Sequence, residues 1–123
     1  MSVTFDGNDL NLKGVFWDHL ITEHGLADCD SAMACGWKRK SKWYGDEREV
    51  KSQVNTAFDL FRQWAKRVGT VELAQNAQMR STFDIDTGTQ CGTGVNGQVT
   101  QCVRLVMEIK HSGDTLIVTA FPW

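Results

Sequence analysis

Thr115-Leu116-Ile117-Val118-Thr119-Ala120-Phe121-Pro122-Trp123 reads as an apolar β-strand closed by the only proline in the sequence. Chain ends fray unless neighbouring elements tie them down, and the neighbour here is Val99–Lys110, joined across Ser112-Gly113. That dipeptide supports a tight turn, so the two segments are expected to pair as a hairpin. With Ser112 and Gly113 as the turn residues, His111 faces Asp114, Val106 lies opposite Thr119, and Arg104 lies opposite Phe121. Side chains alternate across a strand. Val103, Leu105, Met107 and Ile109 then share an apolar face with Leu116, Val118 and Ala120, and this face is expected to meet the helices. The other face carries Arg104, Val106, Glu108, Ile117, Thr119 and Phe121. It combines a cation, a carboxylate, a hydroxyl and an aromatic ring, the ingredients of a site. A slip or bulge of one residue would reassign these faces.

Upstream, the hydrophobic period is helical. Trp17, Leu20, Ile21 and His24 fall on one stripe of a helix expected over Val15–His24, which Gly25 is placed to stop. A second, longer helix is expected over Asp46–Val68, with Val50, Val54, Ala57, Phe58, Phe61, Trp64, Ala65 and Val68 on its apolar stripe. Asp46, Glu47 and Glu49 in its first turn and Lys66 and Arg67 in its last suit the helix dipole, and Gly69 ends it. After Gly69 the pattern shortens to strands at Thr70–Leu73 and Arg80–Ile85. Thr87–Gly97, with four glycines, reads as a loop or a distorted edge. The expected fold class is α+β, with two N-terminal helices packed on one face of a C-terminal antiparallel β-sheet. Residues 1–14 are set apart as an N-terminal extension, and residues 15–123 as one domain.

The 123 residues, 41% of them hydrophobic and 23% charged, fit one domain with a core of its own. No run approaches the roughly 18 apolar residues of a membrane span, and Met1–Lys13 lacks the pattern of a signal peptide. A net charge of −2 gives no general pull toward nucleic acid. The charge is uneven, however: Trp37-Lys38-Arg39-Lys40-Ser41-Lys42-Trp43-Tyr44 places four cations among three aromatics. Such cations can contact phosphates and such rings can stack on bases. A solvated basic loop with its Trp side chains folded into the core is the competing explanation. Cys29, Cys35, Cys91 and Cys102 match no zinc-binding or CxxC redox spacing. Bridges Cys29–Cys35 and Cys91–Cys102 are sterically reasonable and at least one is expected; free buried thiols are the alternative.

Among residues able to do chemistry, His24 comes first. Imidazole titrates near neutrality and can act as general acid or base on an RNA phosphodiester. At a helix C-terminus the dipole favours imidazolium, which suits proton donation. The bland alternative is a histidine at the edge of the core. His19 lies five residues earlier, on another side of the helix, and His111 falls at the hairpin turn. No Ser-His-Asp arrangement or P-loop is present. Gly92-Thr93-Gly94-Val95-Asn96-Gly97 lacks the lysine and the following helix of a phosphate-binding loop.

Three short motifs occur in order. His19-Leu20-Ile21-Thr22-Glu23-His24-Gly25 places a histidine at the end of the first helix. Ser41–Tyr44 leads into a long helix that closes Phe61-Arg62-Gln63-Trp64. Thr119-Ala120-Phe121-Pro122 closes the last strand. Together they resemble the bacterial RNase A-like toxin domains of contact-dependent growth-inhibition effectors, within the wider barnase/EndoU/colicin-type ribonuclease group. The resemblance runs from about Val15 onward. Phe121 stands where the family has tyrosine, and no arginine follows His24 at the family's interval; Arg39 is the nearest in sequence, and Arg104 the alternative from the hairpin map.

The resemblance implies a metal-independent endoribonuclease toxin that cleaves RNA through a 2′,3′-cyclic phosphate, with tRNA among the candidate substrates. His24, Thr119, Arg39 and Arg104 would be its catalytic residues. Phe121, Lys38, Lys40 and His19 would bind substrate, with no metal and no cofactor. It also implies a cognate immunity protein as partner, and delivery or secretion into the cytoplasm of a target cell. The alternatives from other classes are a non-catalytic protein-binding or inhibitor module of the same fold, and a secreted module stabilised by disulfides.

Overall fold

The computed structural model describes residues 1–24, 41–94 and 96–123, with only the backbone of residues 22–24. In chain order the elements are β1 (Ser2–Asp6), a 3-10 turn (Gly7–Asp9), β2 (Asn11–Val15), α1 (Trp17–His24), β3 (Lys42–Trp43), α2 (Glu47–Val68), β4 (Thr70–Ala74), β5 (Ser81–Asp86), β6 (Gly92–Thr93), β7 (Val99–Thr100), β8 (Cys102–Ile109) and β9 (Asp114–Pro122).

α2 forms where its local signals place it. Asp46 caps it by accepting a hydrogen bond from the Glu49 N–H at 2.9 Å. At the other end Gly69 adopts φ 85° and donates its N–H to the Ala65 carbonyl at 3.0 Å, a closure that glycine permits without strain. Val50, Val54, Ala57, Phe58, Phe61 and Ala65 are fully buried along one stripe. They pack across β8 and β5. Trp64, on the flank of the stripe, is half-buried and packs at a tilt against Phe83 of β5 with ring centres 4.7 Å apart.

The main sheet has the strand order β2-β9-β8-β5. β8 and β9 form the expected hairpin, and β5 pairs antiparallel with β8. Two smaller sheets flank it, β1-β4 and β3-β6-β7. Within the Gly-rich stretch, Gly92 sits so close to the Lys42 main chain and the Pro122 ring that a side chain there would collide with both.

The expected arrangement of two N-terminal helices on a C-terminal antiparallel sheet is overturned. Among the described residues 43% are strand, and the single long helix lies in the middle of the chain. β1 and β2 precede both helices, and β2 joins the main sheet parallel to β9. Ser2–Asp6 alternates exposed and buried, with Val3 and Phe5 in the core. That period of two is a strand signal, diluted by the polar residues that surround it. Ser2–Asp6 and Asn11–Val15 are thus strands.

The hairpin register also differs near its tip. Lys110 and Asp114 close the loop, so the turn is His111-Ser112-Gly113, with Gly113 at φ 92°. The longer loop moves the pairing by one residue, and a bulge at Val118 moves it back. From Val106↔Thr119 to Val103↔Pro122 the pairing matches the expectation. Val103, Leu105, Met107, Val118 and Ala120 are buried. Leu116 is only half-buried, while Thr115 and Ile117 point into the core in its place.

Candidate functional site

Because α2 covers one face of the main sheet, chemistry accessible to solvent must use the other. Cross-strand rows on that face are set by the register. Thr82, Val106 and Thr119 lie side by side, as do Asp84, Arg104 and Phe121 in the next row. Trp123 extends the face beyond β9, its N–H bonded to the Cys102 carbonyl at 2.9 Å.

Arg104 is the best-anchored cation of the face. Its Nε and one terminal nitrogen donate to the two carboxylate oxygens of Asp84 at 2.7 and 2.8 Å. This is the bidentate geometry that a planar guanidinium forms well. The guanidinium also lies over the Trp123 indole, 3.4 Å from its centre, a cation–π contact. Phe121 meets Trp123 edge-on with centres 6.0 Å apart. Arg104 is therefore committed to a carboxylate and a ring, and offers little unpaired charge to a phosphate. The Thr119 hydroxyl is buried and has no hydrogen-bond partner among the described residues. A polar group in that state costs about 1–3 kcal/mol.

α1 follows β2 and lies on the α2 side of the sheet, with Leu20 in the core and Lys51 of α2 over the Trp17 ring at 5.5 Å. The Phe16 N–H bonds the Ile117 carbonyl at 3.0 Å, and α1 packs against β9. His24 is its last residue, and its side chain falls outside what is described. Lys38, Arg39 and Lys40 lie outside the described residues as well, with Trp37, Cys29 and Cys35. His19 is exposed on the first turns of α1, in an open depression lined by Val15, Phe16, Trp17 and Asp18. Among the aromatics of the basic run, Trp43 is buried in the core and Tyr44 is exposed. The structure thus brings Thr119, Phe121 and Arg104 together on one face.

Cys91 and Cys102 are free thiols. The expected bridge between them is not formed. The Cys91 thiol points at the carbonyls of Thr100 and Cys102, at 3.5 and 3.4 Å. Burial pushes its pKa up to about 11, so it stays protonated at neutral pH and is a poor nucleophile or metal ligand. Among the described residues no group of three or more His, Cys, Asp or Glu is arranged to hold a metal ion. No described helix is long and apolar enough to cross a membrane.

Two residues of the face escape the sequence reading. Asp84 sits 20 positions before Arg104, and only the non-local pairing of β5 with β8 brings them together. Trp123 follows Pro122, beyond the span in which alternation could place it.

Phe121 is half-buried on the same strand face as Thr119. On the resemblance to RNA-cleaving toxin domains, Phe121→Ala is expected to weaken RNA binding by roughly 1–3 kcal/mol, the scale of one lost base stack. Phe121→Tyr is expected to preserve or raise activity. Binding and melting measurements on both variants check this: a lower melting temperature with unchanged binding would make the ring a packing residue only.

Comparison with family models, curated proteins and solved structures finds no match to this chain.

Proposed function

We propose that the chain is a metal-independent endoribonuclease of the toxin kind. In this reading the RNA 2′-hydroxyl attacks the adjacent phosphorus and the P–O5′ bond breaks, leaving a 2′,3′-cyclic phosphate and a 5′-hydroxyl. His24 transfers a proton in that exchange. Thr119 hydrogen-bonds the phosphate, and Phe121 stacks a neighbouring base. Arg39, with Lys38 and Lys40 beside it, neutralises the charge that develops on the phosphate oxygens, since Arg104 is held by Asp84. tRNA is among the RNAs such an enzyme would meet in the cytoplasm of a target cell, and an immunity protein would restrain it in the producer.

The observation that carries this reading is the Thr119 hydroxyl, without a hydrogen-bond partner among the described residues, on the same strand face as Phe121 and one row from Arg104. A non-catalytic protein-binding module is the second reading, favoured by the pairing that neutralises Arg104. Incubating total RNA with the purified protein in excess EDTA separates the two. Fragmentation that persists in EDTA supports the nuclease; intact RNA at high protein concentration supports the binding module.

A further inference from the structure

Arg104, Asp84 and Trp123 form a layered unit on the side of the main sheet away from α2. The carboxylate fixes the guanidinium plane with two hydrogen bonds, and that plane supports the indole from one side at 3.4 Å. The main chain of Trp123 is fixed as well. Its N–H bonds the Cys102 carbonyl, and its own carbonyl packs so tightly on Gly94 that an added Cβ would lie 2.9 Å away. Even so, Trp123 remains 41% exposed. A large aromatic held rigidly from one side and open on the other has lost its conformational freedom before any ligand arrives, which lowers the cost of binding.

We propose that Trp123 is a stacking platform for an unpaired nucleobase of single-stranded RNA, and that Asp84 and Arg104 are the positioning residues that hold it. The proposal rests on the ribonuclease reading and names how its substrate is gripped. The occupant follows from the chemistry of the face. Asp84 cancels the charge of Arg104, so the unit attracts a π-face rather than a phosphate. Phe121 meets the indole edge-on with ring centres 6.0 Å apart and adds a second aromatic surface beside it. Thr119 lies two residues from Phe121 on the same strand face. A base paired in a duplex has both faces covered by its neighbours and cannot enter.

The test uses a short fluorescein-labelled RNA made wholly of 2′-O-methyl nucleotides, which binds but cannot cyclise, and the duplex of the same sequence. Anisotropy is followed over a range of salt concentrations. The single strand should bind more tightly than the duplex. Trp123→Ala should weaken single-strand binding about 5- to 100-fold, as expected for one lost stack, while Trp123→Phe retains most of it. Asp84→Asn should steepen the dependence of binding on salt, because it frees the Arg104 charge to meet phosphate. Unchanged melting temperatures confirm that the variants are folded. The platform is overturned if Trp123→Ala binds within twofold of the parent, if the duplex binds as well as the single strand, or if the parent binds neither. A parent that binds the probe through Trp123 yet cleaves no unmodified RNA supports the platform and overturns the ribonuclease reading.

Discussion

Gly7→Ala should lower the stability of the fold by roughly 3 kcal/mol, or about 10 °C in melting temperature for a domain of this size. Gly7 is buried where the N-terminal turn crosses the end of α2. A methyl group there would collide with the Ala65 carbonyl and come within 3.0 Å of the Lys66 nitrogen. Both are main chain of a helix, so neither can rotate aside as a side chain would. Moving the turn away would instead sacrifice the hydrogen bond from the Gly7 N–H to the Gly69 carbonyl at 2.7 Å. Gly14→Ala is the control, since its added methyl would meet only the end of the Leu116 side chain, at 3.4 Å. Urea denaturation of both variants measures the difference. A Gly7→Ala protein as stable as its parent would show that residues 2–15 do not dock on α2.

The second large effect is catalytic. His24→Ala should reduce RNA cleavage by a factor on the order of 10² or more, the usual scale for a lost general acid or base. Its melting temperature should stay close to that of the parent, since His24 is the last residue of α1; a large drop would make it a packing residue. Initial rates on a fluorogenic RNA, compared at equal concentrations of folded protein, provide the measurement. An unchanged rate would remove His24 from the reaction.

Much of the fold was legible where the signal is local. Asp46, the stripe from Val50 to Ala65 and Gly69 lie within one segment, and together they define α2 without reference to the rest of the chain. The pairing of Arg104 with Phe121 matches the sequence reading only because the extra loop residue and the bulge at Val118 offset each other. What escaped depends on distant partners. Val3 and Phe5 make sense as a strand only beside Leu73 and Val71 of β4, and two inward residues amid polar ones are a faint signal. The inward turn of Ile117, in place of Leu116, arose from a third loop residue and a compensating bulge, neither of which alternation reveals.

The candidate site divides in the same way. Thr119 and Phe121 share a face by strand parity, which the sequence already contains. The commitment of Arg104 to Asp84 does not follow from spacing, since it requires β5 to lie next to β8. It shifts the charge-neutralising role in the proposed reaction to Arg39.

The most direct test of the proposed reaction is the chemistry of the cut end. A defined single-stranded RNA is incubated in excess EDTA with the parent protein and with His24→Ala, and the 3′ ends of the products are identified by mass spectrometry. A metal-independent ribonuclease that uses His24 should yield 2′,3′-cyclic phosphate ends opposite 5′-hydroxyls with the parent, and almost none with the variant. Intact RNA, or cleavage that His24→Ala leaves unchanged, would contradict it.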